Sequence, residues 1–246
     1  MPEIHVLLLA AAMFAGAVLY SSVGHAGASA YIALMALFGM APAVMRPTAL
    51  ALNILVATIG SVRYLRAGLF RWRTAWPLMV GAVPFAFIGG AIQLPGAYYR
   101  PIVGIVLLIS GTRLLLPADF IVNREPAEQP VVVGILVGAA IGLLAGLTGT
   151  GGGIFLSPLL LFAGWSSTKV ASGIAAVFIL GNSIAGLLGN VTAVGTLPDD
   201  LPIYAAVVVL GALIGTTFGI RWAPERILKA LGVVLIVAGI KLIGVY

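Results

Sequence analysis

Ser22-Val23-Gly24-His25-Ala26-Gly27-Ala28 returns 125 positions later as Leu147-Thr148-Gly149-Thr150-Gly151-Gly152-Gly153. Each copy follows an apolar run and opens a second one, and Gly39 and Gly164 keep the same offset. Further on, Gly104-Ile105-Val106-Leu107 and Gly111-Thr112-Arg113-Leu114 are echoed, at an offset of 128, by Gly232-Val233-Val234-Leu235 and Gly239-Ile240-Lys241-Leu242. The two offsets differ by only three residues, so the chain reads as a duplication with glycine-rich breaks at matching places. In a very apolar chain, that is the pattern of a transporter made of two repeats.

The composition names the solvent. The chain is 61% hydrophobic and 8% charged, with a mean hydropathy of +1.17, against about 25% charged residues in an ordinary soluble domain. A soluble core of this length could not hide so much apolar surface, so lipid surrounds it. Backbone groups in hydrocarbon must pair within their own segment, and the runs of Leu, Val and Ala between glycines read as helices. Strands of a barrel would alternate polar and apolar over about ten residues, and no such stretch is present. Cysteine is absent, which excludes disulfides and thiolate metal sites. Met1-Pro2-Glu3-Ile4-His5 lacks the basic stretch of a signal peptide, so the first apolar run is expected to stay as a helix. The formal charge of +6 comes from residues in short loops beside apolar spans. That placement fits membrane orientation and anionic lipid rather than nucleic acid.

The expected fold is an all-α polytopic membrane protein of two inverted repeats with about five helical segments each. The first repeat (1–116) holds segments 4–22, 28–40, 43–65, 74–94 and 98–116. A polar linker (117–130) follows, and the second repeat (131–246) holds 131–147, 153–164, 167–192, 201–221 and 226–244. Most segments reach the roughly 20 residues that cross about 30 Å of hydrocarbon. Segments 28–40 and 153–164 do not, and both directly follow a glycine motif. They read as half-helices or re-entrant arms.

Basic residues set the orientation. Arg63, Arg66, Arg71, Arg73, Arg113, Arg124, Lys169, Arg221, Arg226 and Lys229 fall on one face when the segments alternate, and that face is cytoplasmic. Arg46, Arg100 and Lys241 fall opposite, with Asp199 and Asp200. Both termini then face outward. Five segments being an odd number, the halves enter the membrane in opposite senses, related by an axis in its plane. Trp72, Trp76, Trp165 and Trp222 lie near span ends, as an interfacial belt requires.

The interior carries no carboxylate: Glu3, Asp119, Glu125, Glu128, Asp199, Asp200 and Glu225 are all terminal or in loops. Buried carboxylates are the usual means of holding cations or relaying protons in membranes. What remains at depth is hydroxyl, amide, imidazole and free backbone N–H. A helix start offers unpaired N–H groups and about half a positive charge, and glycine lets a ligand reach the backbone. Two such starts, brought together by the pseudo-twofold axis, would make a site for a small oxyanion. The candidate residues are Gly24, His25, Gly27, Thr150, Gly151 and Gly152, with Ser22, Asn53 and Asn182 behind them. Arg46, just before Pro47, adds attraction near one entrance. Each has a plainer reading. Gly-x-x-Gly serves close helix packing, Asn53 and Asn182 serve interhelical hydrogen bonds, and His25 bonds a neighbouring carbonyl. Ser29, Ser157 and Ser172 are expected to bond their own helix backbone.

At these residues the chain resembles the TauE/SafE family, also called the sulfite exporter or 4-toluene sulfonate uptake permease family. The resemblance spans both halves. Its carriers are Gly149-Thr150-Gly151-Gly152-Gly153-Ile154-Phe155-Leu156-Ser157-Pro158, Pro42-Ala43-Val44-Met45-Arg46-Pro47-Thr48-Ala49-Leu50 and Arg63-Tyr64-Leu65-Arg66-Ala67-Gly68. Two stretches depart from the family pattern: His25 and alanines replace glycines in the first motif, and Arg46-Pro47 stands where small residues are usual. The resemblance implies transport of small sulfur-containing anions or organosulfonates across a bacterial inner membrane.

The reading is therefore a multi-pass secondary transporter of a small anion, one repeat rocking against the other, whose partners are that anion and the lipid bilayer. It needs no cofactor and no metal. An anion channel is the nearest alternative, and a non-transporting membrane assembly subunit is another. An intramembrane enzyme lacks Gly-x-Ser-x-Gly, an acid to orient a histidine base, and a metal cluster. The sequence fixes no oligomeric state, and a homo-oligomer is compatible with it. A tag placed after Tyr246 is expected to react with impermeant reagents from outside the cell; labelling only after the cytoplasm is opened would reverse the topology.

Overall fold

The structure, a computed structural model, describes residues 3–115, 127–190, 197–219 and 225–244. Most of the expected linker, together with Arg124, Arg221 and Trp222, lies outside the described residues, as do the side chains of Arg113 and Arg226. Among the described residues all regular structure is helical. The order is α1 (Glu3–Ser22), α2 (Ala28–Leu37), α3 (Pro42–Arg66), α4 (Trp72–Ala91), α5 (Gly96–Leu115), α6 (Val131–Thr148), α7 (Gly153–Phe162), α8 (Thr168–Gly189), α9 (Leu201–Gly219) and α10 (Glu225–Ile243). Each matches an expected segment, with ends shifted by three residues or fewer. Six of them, α1, α3, α4, α6, α8 and α9, are both long and apolar enough to cross a bilayer. At 1.5 Å per residue, the ten residues of α2 and of α7 reach about 15 Å, half the hydrocarbon thickness.

Glycine sets how closely the helices approach. On α6, Gly134, Gly138, Gly142 and Gly146 recur every fourth residue and form one stripe. A Cβ at Gly138 would overlap the carbonyl oxygen of Leu78, one at Gly142 that of Ala82, and one at Gly146 that of Ala86. The backbones of α4 and α6 therefore touch, and the two helices run parallel. Gly211 and Gly215 bring α9 equally close to Phe14 and Val18 on α1. In hydrocarbon no water is released when helices meet, so this backbone contact, through dispersion and close fit, holds them together.

The pairing crosses between the halves. Helix α4 packs on α6 and α8, α9 on α1 and α3, and α5 on α10. Replacing each helix by the one five places along maps α4–α6 onto α9–α1, α4–α8 onto α9–α3, and α2–α3 onto α7–α8. Counterparts that meet run antiparallel: on α3 and α8, Gly60 faces Ala176 and Asn53 faces Ser183. On α5 and α10, Gly104 lies by Gly239 and Gly111 by Gly232.

Two apolar cores result. One unites α1, α2, α5, α9 and α10 with the face of α3 that bears Met45, Leu52 and Val56. The other unites α4, α6 and α7 with Ala171, Ile174 and Phe178 of α8. Trp165 belongs to this second core at 9% exposure. It packs inside the protein rather than in the expected interfacial belt. Trp72, at 62% exposure, does lie outside.

The glycine stripe generates a stability prediction. Gly142→Leu drives a side chain into the α4 backbone and is expected to cost on the order of 1–3 kcal/mol or more, the scale of an overpacked core. Gly96→Ala, with nothing within 4 Å of the added methyl, is expected to be neutral. Thermal unfolding in detergent checks both, and equal midpoints would contradict the packing.

Candidate functional site

The chain breaks at two turns built from left-handed glycines. Gly24 and Gly27 have φ of 77° and 101°; Gly149, Gly151 and Gly152 have 83°, 74° and 80°. An L side chain is strained in that region, which is why both breaks are written in glycine. Gly27 then starts α2 and Gly152 starts α7, neither with a capping side chain of its own. The first N–H groups of each short helix have no partner within the helix.

The structure brings the two turns against each other. His25, in the first turn, places Nε2 3.0 Å from the carbonyl oxygen of Gly153 at the start of α7. Its Nδ1 lies 3.1 Å from the carbonyl oxygen of Val23. Both ring nitrogens thus face acceptors, and a neutral imidazole donates to only one of them. Asn53, mid-way along α3, accepts from the N–H of Ala28 through Oδ1 at 3.0 Å. Its Nδ2 donates to Ser183 Oγ on α8 at 3.3 Å. A Cβ on Gly151 would stand 2.5 Å from that same Nδ2, so Asn53 touches both turns. The side chains of His25 and Asn53 fill the gap the sequence assigned to a ligand. The cavity beside the first turn, lined by Ser21, Gly24, His25, Gly60, Ala176 and Thr216, measures about 10 Å³, room for roughly one water.

The turns sit in equivalent surroundings at opposite ends of the α3–α8 crossing. Gly24 rests on the backbone of Ser172, five residues into α8, and Gly149 on the backbone of Arg46, five residues into α3. Ser172 Oγ bonds its own helix at Thr168, as expected. Arg46 is buried, with its guanidinium turned to the end of α4. Nη1 donates to Ile92 O at 2.9 Å and Nη2 to Gly89 O at 2.8 Å and to Gly90 O.

The remaining candidates divide. Thr150 is buried in the second turn, its Oγ1 2.9 Å from Thr148 Oγ1. Gly27 is covered by Tyr31, whose hydroxyl donates to Ala26 O at 2.8 Å. Ser22 turns away and donates to Leu19 O at 2.6 Å in its own helix. Asn182 is buried with neither amide atom bonded. It lies three and four residues beyond Ile179 and Phe178, whose side chains adjoin Gly151, Gly152 and Gly153, so it shares the helix face turned to the second turn. Two serine expectations are corrected. Ser29 Oγ donates to Tyr20 OH at 2.9 Å, a partner one turn cannot supply, and the buried Ser157 Oγ has no partner. Tyr20, Tyr31 and Ser183 complete the site without having been foreseen, since a lone aromatic or serine in an apolar run has no pattern that separates packing from function.

Comparison with known proteins agrees with this architecture. The chain belongs to the family described as Sulfite exporter TauE/SafE, whose family model matches residues 8–242. It is 38% identical over 239 residues to "Probable membrane transporter protein y4hK" of Sinorhizobium fredii, covering 96% of this chain and 97% of that one. It is 26% identical over 254 residues to "Probable membrane transporter protein YjnA" of Bacillus subtilis, covering 94% and 96%. A "Probable membrane transporter protein" of Xylella fastidiosa is 30% identical over 116 residues, covering 47% and 44%. No solved structure matches. The protein is a multi-pass membrane transporter of this family.

The two asparagines are expected to respond oppositely to the same substitution. Asn53→Leu strands the Ala28 N–H and should cost about 1–3 kcal/mol of stability. Asn182→Leu removes an amide that has no partner and should leave the unfolding midpoint unchanged or raise it. Thermal unfolding of the two purified variants decides this, and equal losses would contradict the assignment of Asn182 as unpaired.

Proposed function

We propose that this member of the sulfite exporter TauE/SafE family is a secondary transporter of a small oxyanion, of the sulfite, thiosulfate or organosulfonate class, working in a bacterial inner membrane. The observation that carries the reading is the meeting of two broken helices, α2 and α7, start to start, in a carboxylate-free interior. Their N–H groups and partial positive charges suit an anion that must shed water and later be released. The orphan amide of Asn182 and the hydroxyls of Ser21 and Ser157 supply further uncommitted polar groups in the helices flanking the turns.

In the closed arrangement Asn53 Oδ1 holds the Ala28 N–H, and His25 ties the first turn to Gly153. Both are exchangeable for a ligand. An oxyanion oxygen accepts from Ala28 as the amide oxygen does, and His25 swings from a carbonyl to the anion without leaving the turn. Gly24, Gly27, Gly151 and Gly152 are packed in this closed arrangement against Ser172, Tyr31, Asn53 and Phe178, so a ligand enters as these neighbours move aside.

The moving bodies are the two cores rather than the two sequence repeats. The closest packing joins α4 to α6 and α9 to α1 across the halves, so separating residues 1–116 from 131–246 would tear backbone contacts apart. The site lies where the cores meet: Ala26 of the first turn packs with Ile154 and Ile179 in the first core, while Leu156 and Phe178 belong to the second. Sliding of α3 on α8, where Gly60 meets Ala176, would expose the turns in alternation. The halves then act as inverted repeats, each core holding helices of both.

Purified protein in liposomes is expected to move sulfite, thiosulfate or a sulfonate with saturable kinetics and counterflow. His25→Ala and Gly152→Leu are expected to lower flux at least tenfold in protein that stays monodisperse. Flux that survives both changes would remove this site, and flux without saturation or counterflow would make the protein a channel.

A further inference from the structure

A cavity of about 480 Å³ opens beside the second glycine turn, far larger than the space at the turns themselves. Its wall comes from helix ends gathered at one face: the start of α3, the α4–α5 connection, the start of α5 and the cap of α8. Arg46, Gln93, Tyr99, Arg100 and Asn190 are its polar groups, among apolar residues such as Leu94, and no carboxylate lines it.

The charge there is unusual for its depth. Arg46 is 4% exposed. Its hydrogen-bond partners among the described residues are the last carbonyls of α4, which carry about half a negative charge between them. A guanidinium has five N–H donors. Three are spent on Gly89, Gly90 and Ile92, while Nε has no partner. Arg100, on the same wall, is exposed and forms no hydrogen bond or ion pair among the described residues. The ion pair found among them, Arg73 with Glu128 at 3.4 Å, lies elsewhere on the surface. Two cations thus face one cavity with less than one countercharge. Tyr99, whose hydroxyl donates to Thr148 O at 3.0 Å, joins this wall to the second turn, and Arg46 touches Gly149. The opposite turn has Ser172 in the place of Arg46.

We infer that this cavity is a second anion site, which captures an oxyanion group between Arg46 and Arg100 before the anion reaches the glycine turns. The binding stands on the cavity alone; its role as an antechamber rests on the transport reading above. The same chemistry would hold a phospholipid headgroup, and the test separates the two sources.

The chain has no cysteine, so Leu94→Cys places a single thiol on the cavity wall. In detergent, an anionic methanethiosulfonate is expected to modify it roughly tenfold faster than a cationic one, the scale of one partly screened charge. Inorganic sulfate is expected to slow the anionic reagent. Arg100→Gln, at an exposed position that leaves the fold intact, should abolish both effects. Protection by phosphatidylglycerol nanodiscs without protection by sulfate would assign the site to a headgroup. Equal rates for the two reagents, with no protection from either source, would overturn it. In liposomes, Arg100→Gln is expected to raise KM three- to tenfold (roughly the same charge scale) with the maximal rate kept. An unchanged KM in a transporting protein would refute the antechamber alone. Wild-type protein that moves no anion would refute the transport reading, while the labelling still decides the site.

Discussion

A helix that begins inside a bilayer exposes N–H groups where no water can meet them, and the rest of this structure answers that constraint. Each unsatisfied group in hydrocarbon costs several kcal/mol. The chain begins two helices inside the protein, at the buried Ala28 and Gly153. It brings them together, spends Asn53 Oδ1 on the Ala28 N–H, and ties the first turn to the Gly153 carbonyl through His25. In the proposed cycle an oxyanion, which accepts hydrogen bonds, takes the place of Asn53 Oδ1 on the Ala28 N–H, as a cation could not.

The same constraint explains why the halves interlock. A half-helix covers only part of a bilayer-deep wall, so neighbours from the other repeat must close it. The stripe from Gly134 to Gly146 lets α4 lie directly on α6, and Gly211 and Gly215 do the same for α9 on α1. The first core takes in α2 with Ala26 of the first turn, and α7 is shared, with Ile154 in the first core and Leu156 and Leu160 in the second. Pseudo-symmetry is kept in the pairing of helices and broken in the side chains: Arg46 stands beside one turn and Ser172 beside the other. The two turns therefore differ in the charge beside them.

Much of this was legible in the sequence. Ten segments, their lengths and the two short ones follow from apolar runs and glycine breaks, because in lipid both are nearly sufficient to define a helix. The duplication marks the glycine turns and His25 as candidates, and Asn53 stands out as an amide in mid-span. The exchange of α4 and α9 between the halves was not found, although the four-residue spacing of Gly134, Gly138, Gly142 and Gly146 was there to suggest a tight helix contact. Which helix would fill that contact depends on tertiary fit and not on local pattern. Trp165 lies at a segment end yet is buried in the second core, because which neighbours cover a side chain depends on tertiary fit. Tyr31 and Ser183 carry no signal until the fold sets them beside Gly27 and Asn53.

The central claim is that one anion engages both helix starts together. Hydrogen–deuterium exchange of the amides at Ala28–Ala30 and Gly153–Phe155, measured with and without sulfite, tests it most directly. Slower exchange in both segments at the same sulfite concentration is the predicted result. Protection of one segment alone, or of neither while the protein still transports sulfite, would contradict it.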